Sequence, residues 1–253
     1  MIKAARKIIR WKLKIFAKIF LWRVKPRVIV IAGTTNRHWI KQCILESLSD
    51  KKLLARGNKK NFNAEIGLPL SILGLQPDEE GESKMARWLK ILFNAFVVAF
   101  YRDKAIKYLV LEMAIDRPHD MAYLLSVVKP QIAVFTSITM IYPENFSSLD
   151  LIAKEYQKLI SALPQTGTAI LNADDDRIII LKELAKCDVI TYGIKNLKAD
   201  YLAKDIIKVI DGQEFKAQTL EMELKTLKIK RFGVHHIYAN LVREIMDNLL
   251  INK

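Results

Sequence analysis

The sequence predicts an α/β fold, a mostly parallel sheet with helices on both faces, and three observations carry that reading. Short apolar, β-rich runs recur along the chain, stretches of helical periodicity separate them, and the first run empties into a Gly/Thr-rich turn that leads into a helix. Strands alternating with helices form βαβ units, whose parallel strands are covered on both sides.

The chain opens with a basic helix. Ile2, Ala5, Ile9, Leu13, Phe16 and Phe20 fall on one helical stripe, and Lys3, Lys7, Arg10, Lys14 and Lys18 fall on another. Residues 1–27 carry ten basic groups and no acid; subtracting them from the net charge of +14 leaves +4 for the rest. The longest unbroken apolar run there, residues 19–22, is far short of the ~20 residues a spanning helix needs. It also lacks the apolar core of a secretory signal. With Trp11 and Trp22 suited to a headgroup layer, residues 1–25 read as an interfacial helix on an anionic membrane. That expectation puts the protein in the cytoplasm, peripheral at the inner face of the plasma membrane. The other reading is a helix docked on its own domain with its basic face solvated. Nucleic acid is not an expected partner, because basic groups interleaved with stacking aromatics do not recur outside this segment.

Residues 26–253 read as one domain. A strand at 28–32 precedes a helix at 39–48; the apolar stretch 88–101, interrupted by Lys90 and Asn94, is a core helix or a second membrane-facing patch. Strands follow at 108–113 and 132–136, around a helix at 120–128 that stops before Pro130. A helix at 149–163 ends at Pro164; strands at 168–171 and 188–192 enclose a helix at 176–186. Residues 200–231 alternate as antiparallel strands do, a helix closes the chain at 237–250, and the acidic segment 78–82 is a surface loop. Cys43 and Cys187 match no metal or redox spacing and read as core thiols, and the four histidines lack ligand spacing for a structural metal.

The chemistry concentrates at strand ends. A strand, a Gly/Thr turn and a helix N-terminus bring backbone N–H groups to one point, the arrangement that cradles phosphate. The usual loop closes with Gly-Lys-Thr or Gly-Lys-Ser, whereas Gly33-Thr34-Thr35 is followed here by Asn36, Arg37 and His38. Neighbouring strand ends present Glu112, Ser137 and 172–175. Glu112 is of the type that holds Mg²⁺ beside phosphate oxygens.

These stretches, together with 61–74, Asp116-Arg-Pro-His-Asp120, 129–136, 144–149, 162–164, 169–175 and 233–238, resemble the central ATPase domain of the Mur ligases, most of all the D-alanyl-D-alanine-adding branch. The resemblance covers about residues 28–245 and implies ATP and Mg²⁺ as cofactors, formation of an acyl phosphate, and its attack by an amine to give an amide. It implies that Gly33, Thr34, Thr35, Asn36 and Arg37 hold phosphates and that Asn172 and Asp174 lie near the base. Arg37 and Glu112 would be catalytic, with Glu112 on the metal, while Asn61, Asn63 and His235 would face the substrate. Four positions depart from the pattern: Arg37 replaces the loop lysine, His38 a hydroxyl, Tyr142 a metal-binding histidine, and Tyr156, in Ala153-Lys-Glu-Tyr156, a carbamylated lysine. The expectation is an impaired ligase domain of peptidoglycan precursor synthesis, its flanking substrate domains lying outside this sequence, with cell-wall synthesis proteins as partners. The alternative is a non-catalytic, membrane-associated scaffold or regulatory nucleotide-binding module.

Overall fold

The computed structural model describes residues 2–59, 62–76, 84–101 and 105–251. The expected acidic loop at 78–82 and Asn61 lie outside them. Helix α1 spans Ile2–Val24, strand β1 Arg27–Ala32, α2 Arg37–Asp50, β2 Ala55–Gly57, α3 Gly67–Leu73 and α4 Lys84–Tyr101. Then come β3 Tyr108–Glu112, α5 Asp120–Val127, β4 Ile132–Phe135, α6 Leu149–Ser161, β5 Thr168–Asn172 and α7 Asp176–Ile179. The chain finishes with β6 Asp188–Gly193, β7 Tyr201–Val209, β8 Gly212–Gln218, β9 Leu224–Ile229 and α8 Val234–Ile251.

The strands form one sheet in the order β2-β3-β1-β4-β5-β6-β7-β8-β9. Neighbours from β2 to β7 run parallel, and β7, β8 and β9 are antiparallel. The strand pattern explains the two layers. Val28, Val30 and Ala32 of β1 enter one core with α1, α3, α4, α5 and α6, while Ile29 and Ile31 enter the other with α2 and α8. Successive side chains point to opposite faces of a strand, so a run apolar at every position must be covered twice. The β3–β1–β4 trio puts Gly33, Glu112 and Thr136 side by side at the carboxyl edge, where such sheets bind ligands.

Three expectations need correction. Half of the N-terminal stripe turns inward: Leu13 and Phe20, with Ala17 beside them, are fully buried in the core, and the Phe16 ring meets Phe96 of α4 edge-on at 6.1 Å. The docked reading of α1 is the one the packing matches, so the boundary at Lys25 is a change of charge and not a break in the core. Residues 176–186 form only a single α-turn, α7, continued by a 3-10 turn over Ile180–Leu184. Asp175 starts it by accepting from the Arg177 and Ile178 amides, and from Ile180 the chain tightens into the 3-10 turn. Two elements, β2 and α3, went unpredicted. β2 is three residues at the sheet edge, and the short α3 stops at Gly74, whose φ of 69° is left-handed.

Candidate functional site

The loop after β1 keeps the shape of a phosphate cradle. Asn36 caps α2 in the left-handed region, with φ 62°, and its side chain makes no capping bond. Asn tolerates that conformation better than most residues, so the turn survives without its usual second glycine. Gly33, with φ 123°, has no substitute: a Cβ there would stand 2.0 Å from Thr136 Oγ1. The loop is pinned to the turn after β4. The Thr34 amide and hydroxyl both donate to the Ser137 carbonyl, at 2.8 and 2.9 Å, and Thr35 Oγ1 lies 2.6 Å from Ser137 Oγ.

Arg37 lies folded over this loop. Its Nη1 donates to the Gly33 carbonyl, and its Nε stands 3.8 Å from Glu112 Oε2. Trp39, bulky and next to the loop in sequence, turns away to pack on His236 at 4.4 Å and His235 at 5.9 Å, with the Arg231 guanidinium over its ring. Thr136 Oγ1 is buried without a hydrogen-bond partner and faces Gly33, while Tyr156 lies against the Gly33 backbone. Buried polar groups are almost always paired, so an orphaned hydroxyl at a cradle marks room for a polar guest. A phosphate-bearing group fits here.

A divalent metal does not. Glu112, the expected Mg²⁺ ligand, forms a buried ion pair with Lys41, with Nζ 2.6 Å from Oε1. Lys41 also donates to the Asn58 carbonyl at 2.5 Å. The Asn58 side chain in turn brackets the Glu112 backbone, accepting from its amide at 2.9 Å and donating to its carbonyl at 3.2 Å. His38 Nδ1 comes within 4.0 Å of the same carboxylate. Among the described residues no three His, Cys, Asp or Glu side chains gather as a metal would require. Glu112, expected as the metal ligand, is already neutralised by Lys41. Lys41 was missed by motif reasoning, although Arg37 and Lys41 stand one helical turn apart and so share a face of α2.

The remaining candidates separate into two cavities. One, of about 150 Å³, is lined by Asn36, Asn172, Asp174, Lys195 and Tyr238. Asp174 lines it but is committed elsewhere: its carboxylate accepts from the Ile194, Lys195 and Asn196 amides at 2.6 to 3.0 Å and from Tyr238 Oη at 2.7 Å. Asn172 Oδ1 accepts from the Asp174 amide at 3.0 Å. Both residues shape the wall, and Asp174 has no oxygen left for a base. The second cavity, of about 480 Å³, is lined by Thr34, Arg37, Asn63, Asp116 and Tyr142. Burial and the nearby Asp120 raise the Asp116 carboxyl above its ordinary range, against the pull of Arg37. Tyr142 is half-exposed, with φ 50°. Tyr156 is fully enclosed, and burial pushes its phenol far up. His235 joins neither cavity; it stands against Trp39.

A mostly parallel sheet with a phosphate-cradling turn at its first strand end defines a P-loop-like α/β domain. The model of the Mur ligase middle domain matches residues 92–243, so the chain belongs to that family. It is similar to the UDP-N-acetylmuramoyl-tripeptide–D-alanyl-D-alanine ligase of Escherichia coli, 24% identical over 210 residues, covering 81% of this chain and 40% of that protein. The Bacillus subtilis ligase of the same name is 24% identical over 221 residues, covering 87% of this chain and 41% of its own. MurF of Acinetobacter baumannii shares the fold at a TM-score of 0.76 and 18% identity, over 96% of this chain and 47% of that one. MurF of Thermotoga maritima, solved with ADP, does so at 0.75 and 18%, over 95% and 49%. The chain thus spans about 40% of the length of the curated relatives it matches.

Proposed function

We propose that this chain is a catalytically impaired, MurF-like central domain of peptidoglycan precursor synthesis, whose loop takes nucleotide phosphate without a divalent metal. The Lys41–Glu112 ion pair carries this reading. Mg²⁺ is held at such sites by one or two carboxylates with phosphate oxygens, and here an ammonium already neutralises Glu112, the one expected in that role. Evicting it would strand a buried lysine, a penalty of several kcal/mol by the usual measure of broken buried pairs, roughly 3–5 kcal/mol.

In this reading the α2 N-terminus and the Thr34–Arg37 loop receive the phosphates, and Thr136 Oγ1 faces them from β4. Arg37 swings from the Gly33 carbonyl onto a phosphate oxygen, as a wide planar fork in place of a compact ammonium. ATP, when bound, would supply the phosphoryl group. Transfer is nevertheless weak, because it depends on fixed positive charge at the moving oxygens. Loss of one such contact lowers a rate on the order of 10²–10³. His38 and Tyr142 add no replacement, and Tyr156 wedges under the loop where an amine would be needed.

Titration calorimetry with ADP and ATP, in Mg²⁺ and in EDTA, together with phosphate release, tests this. Equal affinity in both buffers and negligible phosphate release are expected. Arg37→Lys, His38→Thr and Tyr142→His, combined with Lys41→Met to release the Glu112 carboxylate, should raise the Mg²⁺ dependence of binding. Robust Mg²⁺-dependent turnover by the unaltered chain overturns the proposal, and so does failure to bind either nucleotide.

A further inference from the structure

The helical layer over one face of the sheet leaves an unusual outer surface. Helix α4 buries Ile91, Ala95, Val98 and Ala99 and turns Met85, Leu89, Phe93, Phe96 and Phe100 outward, spaced at helical intervals. Phe93 is 67% exposed and Leu89 62%. Helix α1 packs beside it, with Arg23 donating to the Val98 and Ala99 carbonyls at 3.0 Å. With Leu13, Ala17 and Phe20 turned toward the sheet, the opposite side of α1 shows Ile8, Trp11 and Trp22, the tryptophans 61% and 76% exposed. The buried sides of both helices join one core layer, and these aromatic and aliphatic side chains are what the layer leaves exposed. Monomeric proteins rarely leave large apolar patches bare without a use for them.

Beside Trp22 lies a cavity of about 570 Å³ between α1 and the end of α5. Lys14, Lys18, Lys25 and Lys129 line it, and none of its lining residues is acidic. Lys18, Lys25 and Lys129 are exposed; Lys14 is half-buried, donates to Ser126 Oγ at 2.6 Å, and has its ammonium pKa lowered by burial and by Lys18 and Arg10. Cations gathered around a hollow without a carboxylate among them call for an anion.

We propose that the outer faces of α1 and α4, with this lysine-lined cavity, form a docking surface for an anionic phospholipid bilayer, the aromatic side chains entering the interface and the cavity receiving a lipid phosphate. Charge selects this occupant. Residues 1–27 bear ten basic groups and no acid, so a second copy on the same face would meet like charge. Tryptophan and lysine side by side suit the headgroup layer, where the ring is half solvated and each cation near the surface adds about 1 kcal/mol. No described helix is long and apolar enough to cross a membrane, so the contact is peripheral. Leu13 and Phe20 of the stripe first expected to enter the bilayer are core; the opposite side of the same helix, with α4, replaces it.

The test is co-sedimentation of the full chain with vesicles of phosphatidylglycerol and phosphatidylcholine in equal parts, and of phosphatidylcholine alone, with tryptophan fluorescence as a second readout. Binding to the anionic vesicles is expected, weakened by salt and with a blue-shifted emission. Lys18→Glu, Lys25→Glu and Lys129→Glu together should lower the partition coefficient about a hundredfold. Phe93→Ser with Phe100→Ser should lower it about tenfold or more. All five side chains are exposed, so thermal unfolding should report an unchanged fold. Absence of binding to anionic vesicles at low salt overturns the proposal. So does binding indifferent to both sets of substitutions, or self-association of the chain that the phenylalanine changes abolish.

Discussion

Lys41 of α2 and Glu112 at the end of β3 meet at 2.6 Å inside the protein, placing an internal cation on the carboxylate expected to meet a metal. Removing one partner leaves the other charge buried. Lys41→Met should therefore lower the unfolding free energy by about 3 kcal/mol in urea titrations. Adding Glu112→Leu should recover most of that, since paired apolar replacements are often neutral. A loss of only a few tenths for the single change, the scale of an exposed pair, would show that water reaches the carboxylate.

Asp174 is the second expected outcome. Its carboxylate holds three amides of the turn after β6 and the Tyr238 hydroxyl. Asp174→Ala leaves those donors unmet and should destabilise by about 3 kcal/mol or more. Burial first, and the bond to Asp174 second, raise the Tyr238 phenol. In Asp174→Asn the phenol should titrate lower than in the unaltered chain, though still above its ordinary range, as ultraviolet titration would reveal. An unmoved Tyr238 titration would contradict the clamp.

Phe20 checks that α1 is part of the core. Its ring is fully buried, and Phe20→Ala should cost about 3–5 kcal/mol in a single cooperative transition. A loss near zero, or α1 melting ahead of the rest by hydrogen exchange, would return α1 to the status of an appendage.

His236 gives a pH dependence. Burial, helped by His235 and Arg231, lowers its pKa from 6.5 to about 4. The folded state therefore favours the neutral ring, and the unfolded chain binds the extra proton. That stability is fully present above about pH 6.5 and drains away as the pH falls toward 4. Denaturation midpoints measured across this window should slope upward with pH, and His236→Gln should flatten the slope.

Much of the fold was legible in the sequence because the strands of a doubly covered sheet advertise themselves. Residues 28–32, 132–135 and 169–171 are apolar throughout, and Pro130 and Pro164 mark where helices must already have stopped. The loop was legible as well, since Gly33 and Asn36 are residue types that the turn's left-handed conformations require. β2 was not, because three residues carry no period. The short length of α7 was not, because the pattern of 176–186 reads the same for an α-helix and for a single α-turn continued by a 3-10 turn.

By itself the sequence determined the α/β architecture, the place of the phosphate-cradling turn and the basic character of α1. Local pattern and residue type carry those. Only the tertiary structure decided which side of α1 is core. Both of its sides carry apolar residues, and the choice depends on what α3, α4 and the sheet offer it. It also decided the state of Glu112. A carboxylate at a strand end reads the same whether it is free or paired, and 71 positions separate Lys41 from it along the chain. Packing α2 against β3 brings the ammonium to it, and in a buried site two opposite charges that near each other pair before either can serve a metal.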